Sequence, residues 1–238
     1  VKLATTVAIM LVAASPAPHA SAADLEAPVV LENEHVRVVE IFAAPGQRVP
    51  IDGPRPHVIV SLTKARLDAV SADGDRSAVD YAPGQILWRD PATARFARVA
   101  AGNAHLFVVE LKQAELDAGR PSAPLAPDHS IIVDPDQHHL VFENEHVRIV
   151  DGMAPPGARS AAHSHPPSVL VSLAKSRFRV TIRGATRIFD FEPATVRWTN
   201  HFRHRWEILS GEARVVMVEI KSAHDDPRFR GAIARSPD

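Results

Sequence analysis

Short runs of Val, Ile and Leu alternate with polar residues along most of this chain, and the period is two rather than 3.6. The pattern predicts strands over Val36–Ile41, Val58–Leu62, Leu106–Leu111, Val147–Val150, Val169–Leu173, Phe178–Ile182 and Val215–Ile220. Pro45-Gly46, Ala72-Asp73-Gly74, Pro156-Gly157 and Ser210-Gly211 supply turn chemistry between them. Helical periodicity is weak, with Ala114–Ala118 the one candidate. Many short strands with Pro/Gly turns predict an all-β fold of the sandwich or small-barrel kind, and a unit of this size suits a jelly-roll.

The pattern also occurs twice. Glu32-Asn33-Glu34-His35-Val36-Arg37 returns as Glu143-Asn144-Glu145-His146-Val147-Arg148, and at a constant offset of 111 residues 32–62 match residues 143–173 at 16 of 31 positions. A duplicated domain follows, with the first copy over 27–112 and the second over 138–222. Each copy is near the lower size for an independent core, so the two are expected to pack against each other or against a second chain. Between them, residues 113–137 carry Pro121, Pro124, Pro127 and Pro135 and read as an extended linker across the surface. Residues 223–238 read as a polar tail.

Composition narrows the function. The net charge is −1 and there is no long basic run, which disfavours nucleic-acid binding. The absence of cysteine excludes thiolate metal sites, Cys nucleophiles, iron–sulfur clusters and a lipoprotein anchor. Lys2, the apolar run from Leu3 to Ala14 and Ala20-Ser21-Ala22 read as a signal peptide over 1–22. Its removal takes away Lys2 alone among charged residues, so the mature charge becomes −1 − 1 = −2. The expected location is periplasmic or secreted, with no membrane attachment after cleavage.

The candidate chemistry lies in the second copy. His163 and His165 stand at i and i+2, so on a strand both imidazoles face one side. His204 follows 39 residues later. A local His-x-His pair with one distant His can build a three-nitrogen site for a divalent metal, and imidazole alone does not choose among Fe, Mn, Ni, Cu and Zn. In the first copy Asp52 and Pro54 stand opposite His163 and His165, and Ala94-Arg95 opposite the His204 region. The first copy therefore serves as a control: features of both copies are read as folding, features of the second alone as function. By that logic His35 and His146 are structural. Trp88 and Trp198 are each expected to pack in their own barrel. His138 and His139 are placed at the surface.

The second copy resembles the cupin superfamily, and most the small bacterial cupins with a Glu-Asn-x-x-Val-Arg-Val strand, a Pro-Gly turn and a His-x-His-Pro segment. Here these stand as Phe142-Glu143-Asn144-Glu145-His146-Val147-Arg148-Ile149, Pro156-Gly157 and Ala162-His163-Ser164-His165-Pro166-Pro167-Ser168-Val169. The second motif is matched loosely from Val196-Arg197-Trp198 through His204 to Glu207. The resemblance implies two tandem jelly-roll barrels, a bicupin with a degenerate first domain, and a divalent metal on His163, His165 and His204. Two departures stand out. The positions where many cupins carry a ligand Glu are Val169 and Leu170, so no carboxylate arrives from that strand. Asn200-His201-Phe202 replaces the usual turn before the last histidine, which offers His201 as a substitute ligand or acid–base catalyst. Trp206, Arg203 and Ser168 are candidates for a substrate pocket. Two readings remain open. One is a metal-dependent, oxygenase-like or isomerase-like enzyme for a small oxygen-bearing molecule. The other is a non-catalytic ligand-binding or assembly bicupin without metal. A homodimer is compatible with either.

Overall fold

The protein is described by a computed structural model covering residues 27–70, 76–92, 95–112 and 125–221. The expected signal peptide, the candidate helix at Ala114–Ala118 and the tail lie outside the described residues.

The first copy contains β1 (Val29–Glu32), β2 (Val36–Ala43), β3 (Arg48–Asp52), β4 (His57–Ser61), β5 (Ala65–Val70), β6 (Arg76–Tyr81), β7 (Ile86–Arg89), β8 (Arg95–Ala101) and β9 (Ala104–Leu111). A one-turn helix α1 (Ser130–Val133) precedes the second copy. That copy contains β10 (His138–Glu143), β11 (Val147–Ala154), β12 (His163–His165), β13 (Ser168–Ser172), β14 (Ser176–Ile182), β15 (Ala185–Phe191), β16 (Val196–Thr199), β17 (Phe202–Gly211) and β18 (Ala213–Ile220). Every strand pair is antiparallel. The sheet orders are β1-β2-β9-β4-β7 with β3-β8-β5-β6, and β10-β11-β18-β13-β16 with β12-β17-β14-β15. The two topologies are identical, so the duplication extends through the whole of each barrel. In each copy two sheets face each other over an interior, the arrangement of a jelly-roll.

The repeated hexapeptide now has a physical account in both copies. Asn33 Oδ1 accepts from the His35 and Val36 amides, and Asn144 Oδ1 accepts from those of His146 and Val147. These Asx turns start the second strand of each barrel. Glu32 pairs with Lys112 at 2.8 Å and Glu143 with Lys221 at 2.7 Å, tying the first strand to the last. Arg37 pairs with Glu110 at 3.0 Å, and Arg148 with Glu219 at 3.5 Å.

The five-stranded sheets of the two copies pack against each other. Val36, Val38, Val58, Val60, Phe107 and Val109 form one buried cluster with Val147, Ile149, Val169, Val171, Val216 and Val218. Alternation along the strands explains this: β2, β4 and β9 turn one apolar face to their own barrel and the other to the partner copy. The tryptophans belong to this seam, which corrects the expectation that each packs in its own barrel. Trp198 stacks on His35 of the other copy, with centroids 5.4 Å apart and rings 10° from parallel. Trp88 stacks reciprocally on Phe142 and His146. The sequence placed these rings correctly as structural, but no local signal shows which core a tryptophan enters. Among the described residues no helix is long and apolar enough to cross a membrane.

Candidate metal centre and its cavity

β12 is three residues long, and all three side chains are buried. His163 and His165 point into the second barrel with ring centroids 4.9 Å apart, while Ser164 points outward and donates to Asp128 Oδ1 at 2.8 Å. β12 pairs with β17 so that His163 lies directly opposite His204. Directly opposed residues share a face, and the His204 ring is 4.6 Å from His163 and 5.4 Å from His165. A fourth imidazole enters from the other sheet. His138, paired with Gly152 on β11, lies 4.7 Å from His163 and 5.5 Å from His165.

Nitrogens of His138, His163 and His165 converge to within 4.8 Å of one another, and together they can hold a divalent metal ion. His204 borders this set without belonging to it. His138, placed at the surface from sequence, is only 5% exposed. The first-copy control would have found it: at the same offset of 111 its counterpart is Ala27, so it too belongs to the second copy alone. His139, its neighbour, is exposed as expected.

The outer nitrogens fix the tautomers. His163 Nδ1 donates to the Ala161 carbonyl at 2.9 Å, and His138 Nδ1 to the Asp134 carbonyl at 3.2 Å. A carbonyl only accepts, so each Nδ1 carries the proton and each Nε2 keeps its lone pair. His163 Nε2 is buried with no protein partner. A buried lone pair that finds no donor fits a metal ligand. His165 Nδ1 faces Glu219 Oε1 at 3.3 Å and the Ser130 hydroxyl at 3.4 Å.

A carboxylate does approach the histidines, Glu219, but outside the converging set. It comes from β18, is fully buried, and touches His165 through one oxygen. Its other oxygen accepts from His129 Nε2 at 3.0 Å and faces Arg148 at 3.5 Å. His129 caps α1, its Nδ1 accepting from the Ile131 amide. The described part of the linker therefore does more than cross the surface: Asp128, His129, Ser130 and Asp134 form an outer layer behind the histidines. Hydrogen bonds of this kind orient metal-binding imidazoles.

Electrostatics follow from this packing. Burial, reinforced by the imidazoles of His165 and His163, pushes His138 down to about 3. Burial and His165 push His163 down to about 4. Burial and the other three rings hold His204 well below the ordinary histidine value. Burial opposes ionisation of Glu219, but hydrogen bonds from His129 and His165 outweigh it and bring the carboxyl to about 2. Neutral imidazoles beside an ionised outer carboxylate are the protonation states that metal binding requires.

The other sequence candidates fall in different places. Trp206 is 9% exposed, packs on Phe178 and lines the cavity beside the histidines. Arg203 points away from the barrel, because alternate residues of β17 face outward, and pairs with Asp128 at 3.2 Å. Ser168 is buried one step behind the cavity wall, its hydroxyl 2.8 Å from that of Thr199. His201 sits half-buried in the bend before β17, outside both the converging set and the cavity lining. In the first copy, Arg37, Glu110, Asp52 and His57 occupy the equivalent end of the barrel, and among the described residues no cluster of histidines stands there.

No protein-family profile matches the sequence, and no curated protein matches it either. Solved structures do. The oxalate decarboxylase of Lactobacillus farciminis in its formate complex aligns with a TM-score of 0.52 and 11% identity, over 85% of this chain and 87% of that one. A single-residue mutant of the Bacillus subtilis oxalate decarboxylase aligns with a TM-score of 0.51 and 13% identity, over 84% and 76%. The fold is that of a bicupin. At these identities the likeness speaks for the fold, and the activity of this chain has to be argued from its own site.

Proposed function

We propose that this chain is an exported, metal-dependent bicupin enzyme whose second barrel binds a small oxygen-bearing organic molecule. The observation that carries this reading is the convergence of His138, His163 and His165 at one end of an apolar-walled cavity. The Nε2 lone pairs of His138 and His163 are left free because their Nδ1 groups donate to backbone carbonyls. His204 flanks the set on the cavity side, where it can complete the coordination or take a proton from the bound molecule. Glu219 orients His165, and the linker residue His129 holds Glu219. The first barrel is a scaffold that covers one face of the second.

A divalent ion bound there would supply Lewis-acid polarisation of a ligand oxygen and, with a redox metal, oxygen chemistry. Fe, Mn, Ni, Cu and Zn are all compatible with imidazole donors. The reaction classes in view are oxygenase-like and isomerase-like. The structural neighbours are oxalate decarboxylases by name, which adds metal-dependent decarboxylation to the classes to be assayed. The signal-like segment supports a periplasmic or secreted location.

The test is metal uptake by the whole protein, read by elemental analysis and thermal stabilisation, since a ligand that binds the folded state raises its melting temperature. His163→Ala and His165→Ala are expected to abolish uptake, and His138→Ala to weaken it more than His204→Ala. Retention of metal by His138→Ala with loss in His204→Ala would restore the ligand set read from sequence. A wild-type protein that takes up no divalent ion, and gains no stability from any, would favour the non-catalytic bicupin.

A further inference from the structure

The cavity beside the histidines has a volume of about 340 Å³, toward the small end of the roughly 300–1,000 Å³ usual for small-molecule sites. Its walls are almost wholly apolar. Phe178, Phe189, Phe191, Phe202, Trp206 and Leu170 carry most of them. The aromatic residues come from the inward faces of β14, β15 and β17.

Polar groups gather at one end. His138, His165 and His204 are there, with Gln137 next to His138 in the chain. Gln137 donates its amide to Asp134 and to the Arg159 carbonyl, and its Oε1 is buried without a protein partner. The remaining polar lining is already engaged. The Arg197 guanidinium lies over the Phe191 ring at 4.6 Å and donates to the Asp190 carbonyl. The Thr199 hydroxyl is bonded to Ser168.

The first barrel shows that this space is not a necessity of the fold. There Val39, Ile41, Ile51, Leu67, Leu106 and Tyr81 close the interior into one buried cluster. At the offset of 111, Ile41 and Ile51 become Gly152 and Ala162. Of these two positions Gly152 lines the cavity, so a branched side chain that helps fill the first barrel is missing from the second. A Cβ at Gly152 would stand 3.5 Å from Met217 Cε and from the Val215 carbonyl, in ordinary contact, so neither φ nor crowding demands glycine there. What the glycine leaves is room.

We infer that the molecule bound in this cavity has a single oxygen-bearing head, held at the histidine end, and an apolar body that fills the aromatic-walled remainder. The inference rests on the reading of the histidines as a metal centre for the position of the head, but not for the apolar body. A small dianion with two polar ends, such as oxalate, would leave the walls unused and bring a second charge against rings that cannot solvate it.

The experiment uses the full chain loaded with Zn(II) and measures binding of acetate, butyrate and hexanoate by calorimetry, with adipate as the control. Adipate matches hexanoate in length but carries a second carboxylate where the body should be apolar. Affinity is expected to rise roughly fourfold for each methylene added. Adipate should bind at least tenfold more weakly than hexanoate. Gly152→Ile, which restores the first-copy side chain, should weaken hexanoate at least tenfold. A flat chain-length series, or adipate binding as well as hexanoate, overturns the inference. If the protein takes up no zinc, the series is repeated on metal-free protein by Trp206→Phe-controlled fluorescence. A rising series there upholds the apolar cavity while the metal reading falls, and a flat one overturns the inference.

Discussion

Glu219 shows how much one side chain depends on its surroundings. A fully buried carboxylate is costly unless charges and donors surround it. Here His165, His129 and Arg148 do so. The Arg148–Glu219 pair has a first-copy counterpart in Arg37–Glu110, where no histidine is attached. The pair therefore belongs to the fold, and the second copy has added imidazoles to it. Glu219→Gln is expected to lower zinc affinity by about 10- to 100-fold through loss of orientation of His165. It should also lower folding stability by about 2 kcal/mol, because His129 and His165 lose a charged acceptor, while Arg148 keeps Glu143 at 2.8 Å. Competition with a chromogenic chelator and urea unfolding read the two effects, and unchanged zinc affinity would remove Glu219 from the centre.

The histidines make a second prediction at this scale. His138 and His163 titrate at about 3 and about 4 in the folded protein, against 6.5 for an unperturbed ring. Between those values the unfolded chain binds more protons than the folded one, so stability rises with pH. The metal-free protein should be fully stable above pH 6.5 and lose stability as the pH falls toward 4. Below 4.5 the low value of Glu219 adds to the loss. Melting temperatures across this range should fall steadily, and His163→Gln should flatten the dependence. A melting temperature that stays constant or rises on acidification contradicts the assignment.

At the scale of elements, each of the seven strands predicted from hydrophobic alternation is present, within a few residues at its ends. These strands mostly belong to the two central sheets, which are apolar on both faces. The strands not predicted, such as β6, β10 and β15, carry long runs of exposed residues. Their pairing is set by neighbours distant in sequence, and a propensity scale cannot see those neighbours. Gly102 and Gly211 mark the same corner in both copies. Each has a positive φ and would bring a Cβ against the carbonyl of Lys64 or Lys175. Only the second was legible as a Ser-Gly turn. The described part of the linker is hard to read for a related reason: its prolines suggest surface chain, whereas His129, Ser130 and Asp134 are buried, the first two bonded to groups far away in sequence.

In the whole molecule, the two barrels share one apolar seam, and the reciprocal His–Trp stacks sit at its edges. The stack of His35 on Trp198 joins residues of different copies, so it couples their stabilities. A double-mutant cycle with His35→Ala and Trp198→Ala should return a coupling of about 1 kcal/mol in urea unfolding, as aromatic pairs do. Unfolding of the wild type should remain a single transition by every probe. Additive single-mutant effects would mean that the stack contributes nothing beyond burial.

The duplication, the all-β class, the twin jelly-rolls and the placement of His163 and His165 on one face were determined by the sequence alone. All of them rest on local periodicity or on self-comparison, and neither requires knowing which strands meet. The tertiary structure decided the rest. It brought His138 to the pair from the opposite sheet, delivered Glu219 from the last strand, turned Arg203 outward and emptied the second barrel around Gly152. Each of those depends on strand pairing and on the packing of two sheets face to face, where residues more than twenty positions apart come into contact and no short window of sequence records it.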